Sequence, residues 1–260
     1  MPSLETALEI ADLNLISDLN LSMFGRDDLL NVILQRSETI RDQHDPDRVV
    51  QAWEAGDCEP AYRIIDKLGA DIVRRAMALV FLEYLELKPL LHRIKPKVVA
   101  DIGCGYGFFG FFLQQDFDCE VVLVDLEESP NRHFDFKDKA AAYTSLATTR
   151  RFYVSNGRAE NSITTLNPEY QDLHSLRNVD LTVSFLSCGF HFPWETYSRF
   201  FTETVMPSGS IILDIRRRRV GKALKDLAEF GDVSRVGSAA FGKATRIHVE
   251  KHAVAMARTA

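Results

Sequence analysis

Cysteine is scarce in this chain: four among 260 residues, at positions 58, 104, 119 and 188, with no C-x-x-C pair. That scatter excludes a zinc ribbon and a disulfide framework, and it reads as the reduced thiols of a cytoplasmic protein. No apolar run approaches the roughly 20 residues that cross a bilayer. The start, Met1-Pro2-Ser3-Leu4-Glu5, lacks the basic n-region of a signal peptide, so neither membrane nor export is expected. Basic residues are the minority, 31 against 37 acidic for a net charge of −6, which argues against a broad nucleic-acid footprint. Internal repeats and low-complexity tracts are also missing. What remains, 46% hydrophobic and 26% charged, is ordinary for a globular chain with one α/β domain and an added helical segment.

Residues 1 to 94 read as helical. Ile72, Ala76, Leu79 and Val80 fall at i, i+4, i+7, i+8, so a helix starting at Asp71 buries one face. Gly56, Pro60 and Gly69 punctuate shorter helices before it, and Pro89 is expected to kink or end it. An apolar N-terminal helix of this kind often packs against a partner, which allows a homodimer. From Val98 onward the pattern changes to strands alternating with helices. Strands are expected near 97–101, 120–125, 151–155, 179–186, 209–215, 232–236 and 244–250. The alternation implies a parallel sheet, and the last two strands, joined by a loop without a helix, should pair antiparallel.

The most informative stretch is Val98-Val99-Ala100-Asp101-Ile102-Gly103-Cys104-Gly105-Tyr106-Gly107, followed by the apolar run Phe108-Phe109-Gly110-Phe111-Phe112-Leu113. It reads as a buried strand, a tight turn and a helix start. A second strand, Val121 to Val124, ends at Asp125, 24 residues after Asp101. That is close to the roughly 20 residues at which a βαβ unit sets an acid on a ribose hydroxyl. The glycine spacing differs from G-x-G-x-x-G, and an acid precedes its first glycine.

These residues resemble motif I of the class I S-adenosylmethionine-dependent methyltransferases. Val179 to Leu186 looks like that family's fourth strand, and Val205-Met206-Pro207-Ser208-Gly209 with Ser210 to Asp214 looks like its fifth. The resemblance covers about Lys95 to Glu250. It implies an α/β, Rossmann-like seven-stranded sheet, mostly parallel with the last strand antiparallel. It divides the chain into a helical lid or extension, 1–94, and a cofactor-binding domain, 95–260. It implies S-adenosyl-L-methionine as cofactor and S-adenosyl-L-homocysteine as product, with Asp101, Gly103, Cys104, Gly105, Gly107, Asp125, Leu126, Asn156 and Ser187 around it. The cofactor carries an ammonium and a sulfonium but no phosphate, so acids in its loop are favourable.

Methyl transfer needs a held acceptor and, for an alcohol, a base titrating near neutrality. His191, in Ser187-Cys188-Gly189-Phe190-His191-Phe192-Pro193-Trp194 after the fourth strand, is the candidate base; a positioning or packing histidine is the alternative. Phe190, Phe192 and Trp194 are candidate pocket walls, or core. Ser187 to Pro193 is similar to bacterial enzymes described as sugar O-methyltransferases. The Asn/Asp-Pro-Pro-Tyr/Phe signature of amino methylation is absent, which lowers the odds of a nucleic-acid base or a glutamine as substrate. Arg216, opening the run Arg216 to Arg219, is a candidate for an anionic acceptor such as a nucleotide-linked sugar, against the alternative of a solvated face. After the second strand, Arg132 and His133 are candidates to flank the acceptor or cover the cofactor, against the alternative of capping the next helix on the surface. No catalytic metal is expected. The expectation is a methyltransferase acting on a small-molecule oxygen, with an RNA or protein methyltransferase, or a non-catalytic cofactor-binding module, as rivals.

Overall fold

A computed structural model describes residues 4–127 and 144–253. Six helices come first: α1 (Leu4–Ala11), α2 (Asn14–Ser17), α3 (Arg26–Gln35), α4 (Pro46–Glu54), α5 (Glu59–Leu68) and α6 (Asp71–Ile94). Pro60 sits in the first turn of α5 and Gly69 caps its end, as the punctuation requires. Ile72, Ala76, Leu79 and Val80 are all buried. Pro89 neither ends nor interrupts α6, which runs on to Ile94. Pro89 lies on the exposed face with Leu85 and Glu86, so the carbonyl of Leu85 that it leaves without a donor can turn to water. Leu87, Leu90 and Leu91, on the buried face, keep the last turns in place.

The sheet follows: β1 (Val98–Ile102), α7 (Phe108–Asp116), β2 (Glu120–Val124), α8 (Leu146–Ser155), β3 (Ile163–Leu166), β4 (Val179–Ser184), α9 (Ser198–Glu203), β5 (Val205–Arg216), α10 (Val220–Leu227), β6 (Gly231–Ala239) and β7 (Ala244–Lys251). The strand order is β3-β2-β1-β4-β5-β7-β6. The first five strands pair parallel, and β7 runs antiparallel to both β5 and β6. This is the Rossmann-like sheet with a reversed last strand.

One expected strand is wrong. Residues 151–155 are the last turns of α8, not a strand. The Ser145 side chain caps this helix by accepting from the Thr148 N–H, and Leu146, Thr149, Phe152 and Tyr153 bury at three- and four-residue spacing. Packing of that face outweighs the strand preference of Phe-Tyr-Val. The third strand is Ile163–Leu166 at the sheet edge.

Side chains alternate across the sheet. Val99, Leu123, Leu181 and Ile212 face a core shared with α1 to α8, while Ala100, Val122, Ile211 and Val249 face a second core under α9 and α10. The N-terminal helices therefore form one outer layer of a three-layer molecule. Phe24 packs on Tyr106, Phe108 and Phe152, and Phe81 on Phe112. Among the described residues no helix is long and apolar enough to cross a membrane.

Candidate active site

The carboxyl ends of β1, β2 and β4 open into a cleft, the place where ligands bind in such sheets. Its first wall is the glycine turn. Gly103 and Cys104 both donate to the Val124 carbonyl, at 2.8 and 3.1 Å, which ties the end of β1 to β2. Gly103 has φ +71°, and a Cβ there would stand 2.1 Å from Ser187 Oγ. Only glycine allows both the left-handed turn and the approach of the β4 loop.

Asp101, inside β1, is 4% exposed. Burial, reinforced by the Asp125 charge, pushes its carboxyl up to about 7. Asp125 follows β2. Its Oδ2 accepts from the Gly105 N–H at 2.8 Å and its Oδ1 from the Leu126 N–H at 2.8 Å. Burial nonetheless pushes Asp125 up to about 6, with those backbone donors pulling the other way. Among the described residues neither acid has a cationic partner. Two coupled carboxyls thus sit beside a cleft in need of positive charge.

The rest of the β side comes from Leu126, from Pro168 after β3, and from Ser187, His191, Phe192 and Tyr197 after β4. The β4 loop is wound tightly: the N–H groups of Phe190, His191 and Phe192 all converge on the Ser187 carbonyl, at 3.0, 2.8 and 3.0 Å. That winding turns His191 into the cleft. The opposite wall is helical. It is built by Val32, Gln35 and Arg36 from the end of α3 and by Ala76, Val80 and Glu83 from α6. Gln35 stands directly over Gly105, where an added Cβ would lie 2.9 Å from its Oε1.

Of the residues the sequence singled out, Asp101, Gly103, Cys104, Gly105, Asp125, Leu126, Ser187 and His191 line one cleft. Five do not. Gly107 caps α7 and faces away; its carbonyl accepts from the Tyr153 hydroxyl, so its small size serves packing. Asn156 ends α8 instead of following a strand, and its amide is tied to the backbone of Asn20 and Phe152. Phe190 and Trp194 are buried, 3% and 1% exposed, away from the cleft. Arg216 lies over the Phe190 ring at 4.3 Å and donates from Nε to the Phe190 carbonyl at 2.7 Å. Arg219 and Lys222 lie over Trp194 and pair with Glu195. Arg216 and Arg219 therefore clamp the outside of the β4 loop, and none of the four arginines lines the cleft. Arg132 and His133 lie outside the described residues.

Sequence reading missed the helical wall and the charge ladder behind it. Arg36 donates to both oxygens of Glu83, at 3.0 and 3.1 Å. Arg246 of β7 donates to both oxygens of Asp214 of β5, at 2.8 and 2.9 Å, directly across the strand pair. Arg246 also approaches Glu83, at 3.9 Å. Its guanidinium covers the Phe185 ring at 4.4 Å. Guanidiniums hold Glu83 below the usual carboxylate range despite its burial. A charged residue within a strand pattern, such as Arg246 among Ile247 and Val249, was the available signal. Pro168 was equally readable, as Asn167-Pro168 following the run Ile163-Thr164-Thr165-Leu166.

No protein-family model and no curated protein matches the chain. Solved structures of similar fold include a geranyl diphosphate methyltransferase in complex with S-adenosylmethionine, 14% identical over 72% of this chain and 91% of that one with a TM-score of 0.43. The S-adenosylmethionine-dependent methyltransferase SibL is 14% identical over 86% of this chain and 74% of that one, with a TM-score of 0.47. A ribosomal protein L11 methylase from Lactobacillus delbrueckii subsp. bulgaricus is 15% identical over 68% of this chain and 79% of that one, with a TM-score of 0.46.

Proposed function

We propose that this chain is an S-adenosylmethionine-dependent methyltransferase that acts on a hydroxyl oxygen of a small molecule. The observation that carries the reading is the pair Asp101 and Asp125, pushed up to about 7 and about 6 with no cation beside them among the described residues, next to a glycine turn that lines the cleft. A ligand with an ammonium and a sulfonium fits that field. A dinucleotide, whose pyrophosphate would lie on the glycine turn beside Asp101, fits it less well.

Asp101 is suited to the ammonium end, and Asp125 to the ribose hydroxyls. Gly103, Cys104 and Gly105 offer backbone for close contact, and Leu126 and Pro168 offer an apolar edge for a base. Bound there, the cofactor supplies a methyl on sulfonium sulfur, and the pair of the broken bond stays with sulfur. His191 is suited to take the proton that an acceptor hydroxyl gives up as its oxygen forms the new bond to carbon.

Calorimetric titration with S-adenosylmethionine and S-adenosylhomocysteine tests the first half. Binding at micromolar concentration, lost in Asp125→Ala, is expected; a folded wild type that binds neither ligand refutes the reading. His191→Gln tests the second half. It should lower kcat by about 100-fold or more, with cofactor affinity kept.

A further inference from the structure

The polar groups of the cleft fall into two sets. Asp101, Asp125 and Gln35 cluster at the glycine turn, where Gln35 stands over Gly105. Tyr197, from the segment after β4, lines the same cleft. Away from the turn, the cleft is walled by Val32 of α3, Ala76 and Val80 of α6, Phe109 of α7 and Phe185 after β4. The Phe109 and Phe185 rings meet at a tilt of 58°, with centroids 4.6 Å apart. The charged groups on that side, Arg36 and Glu83, are paired to each other through two hydrogen bonds. Arg246 supports Glu83 from behind, and Asp214 neutralises Arg246. Two guanidiniums and two carboxylates make the ladder neutral as a whole and satisfied from within.

Among the described residues, an acceptor on that side therefore meets mainly hydrocarbon, an Arg36–Glu83 pair already satisfied within itself, and His191 from the β4 loop. A sugar would bring several hydroxyls, and each one left without a partner costs about 1–3 kcal/mol. A free anion would have to separate Arg36 from Glu83, and breaking such a pair leaves a buried charge uncompensated. An apolar body gains about 25 cal/mol for each Å² it removes from water.

We infer, resting on the methyltransferase reading, that the acceptor is a small, largely apolar alcohol of the phenol type. Its ring lies between the α3–α6 wall and the Phe109–Phe185 pair, and its single hydroxyl turns to His191. The ladder serves as the chamber's fixed end. It sets the position of α3 and α6 over the sheet and does not bind the acceptor itself.

The experiment uses the full chain saturated with S-adenosylhomocysteine and three probes: 2-naphthol, glucose and uridine diphosphate glucose. Calorimetry should show 2-naphthol binding at least about tenfold more tightly than either sugar, a difference of about 1.4 kcal/mol. Val80→Asn and Val32→Asn, on separate helices, should each weaken 2-naphthol about tenfold or more, with S-adenosylhomocysteine affinity kept. The wild-type comparison stands without either variant. Uridine diphosphate glucose binding as tightly as 2-naphthol or more so, or 2-naphthol binding no better than glucose, overturns the inference. So does 2-naphthol binding that both variants leave unchanged. Failure of the wild type to bind S-adenosylhomocysteine is a separate result, and it overturns the cofactor reading beneath.

Discussion

Lowering the pH should release the cofactor, and the amount can be worked from two side chains. Asp101 titrates at about 7 and Asp125 at about 6. If the ligand's positive groups require both carboxylates ionised, affinity falls as each takes up its proton. Between pH 7.5 and pH 5.5 the protonated fraction of Asp101 goes from a minority to nearly all, and that of Asp125 from almost none to most. The two factors multiply to a weakening of about 100-fold, or about 2.7 kcal/mol. Over this range the ligand's ammonium stays largely charged, because α-amino groups titrate near 7.7–8.0, so the protein supplies the dependence. At pH 7 the same values require the release of about 0.6 proton on binding. Calorimetry with S-adenosylmethionine in buffers of different ionisation enthalpy measures both quantities. Affinity flat from pH 7.5 to 5.5 with no proton released would mean that these carboxyls do not face the ligand's charge, and the reasoning from burial would be refuted.

The same acid has an opposite effect on the empty protein. Its folded value lies above the unfolded one near 3.9, so its contribution favours folding at low pH and is lost as pH rises toward 7. Asp101→Asn should then stabilise the apo protein at pH 8 by about 4 kcal/mol, at 1.36 kcal/mol per tenfold, which calorimetric scanning would read as a Tm rise of about 10 °C, while S-adenosylmethionine binding is lost. An unchanged Tm would show that Asp101 is not desolvated. Gly103→Ala should destabilise by about 2 kcal/mol or more through its positive φ and the collision with Ser187 Oγ. Gly221→Ala, in open space within α10, should stabilise by about 0.5–1 kcal/mol; urea unfolding of the pair checks both. Glu83→Gln leaves Arg36 and Arg246 short of a counter-charge, and a loss of about 3–5 kcal/mol is expected in the same measurement.

Much of the sheet is legible along the chain because its strands are continuous apolar runs that end abruptly. Val98 to Ile102 stops at Gly103, and Val121 to Val124 stops at Asp125, so the acids and glycines that follow can be placed at one edge without a structure. β3 escaped because it is four residues long, carries two threonines and lies at the sheet edge, exposed at Thr164. The nearby helix α8 ends in an aromatic and β-branched run that imitates a strand. The error then moved the loop reading from Asn167-Pro168 to Asn156. The helical wall escaped for another reason. Val32, Arg36, Val80 and Glu83 look like ordinary amphipathic positions, and only the docking of α3 and α6 on the sheet turns them toward a ligand. The arginine run shows the converse. Four adjacent cations are conspicuous in sequence, yet ring faces and a backbone carbonyl on the outside of the β4 loop take up the first of them.

The hydrogen bond from the Tyr106 hydroxyl to Asp28 Oδ1, 2.8 Å long, fastens the glycine turn to helix α3, and Phe24 packs on the same ring. Phe108, Phe109 and Phe112 of the first βα unit lean on Phe24, Tyr84 and Phe81 in turn. A chain begun at Lys95 would set those rings in water and leave the turn unanchored. The boundary between helices and sheet is thus no seam for recombination. Exchanging the first 94 residues for those of another protein would replace the cleft's helical wall and the anchor of its glycine turn in one stroke, so a change in what the cleft admits is reached more readily by substitution within the helices.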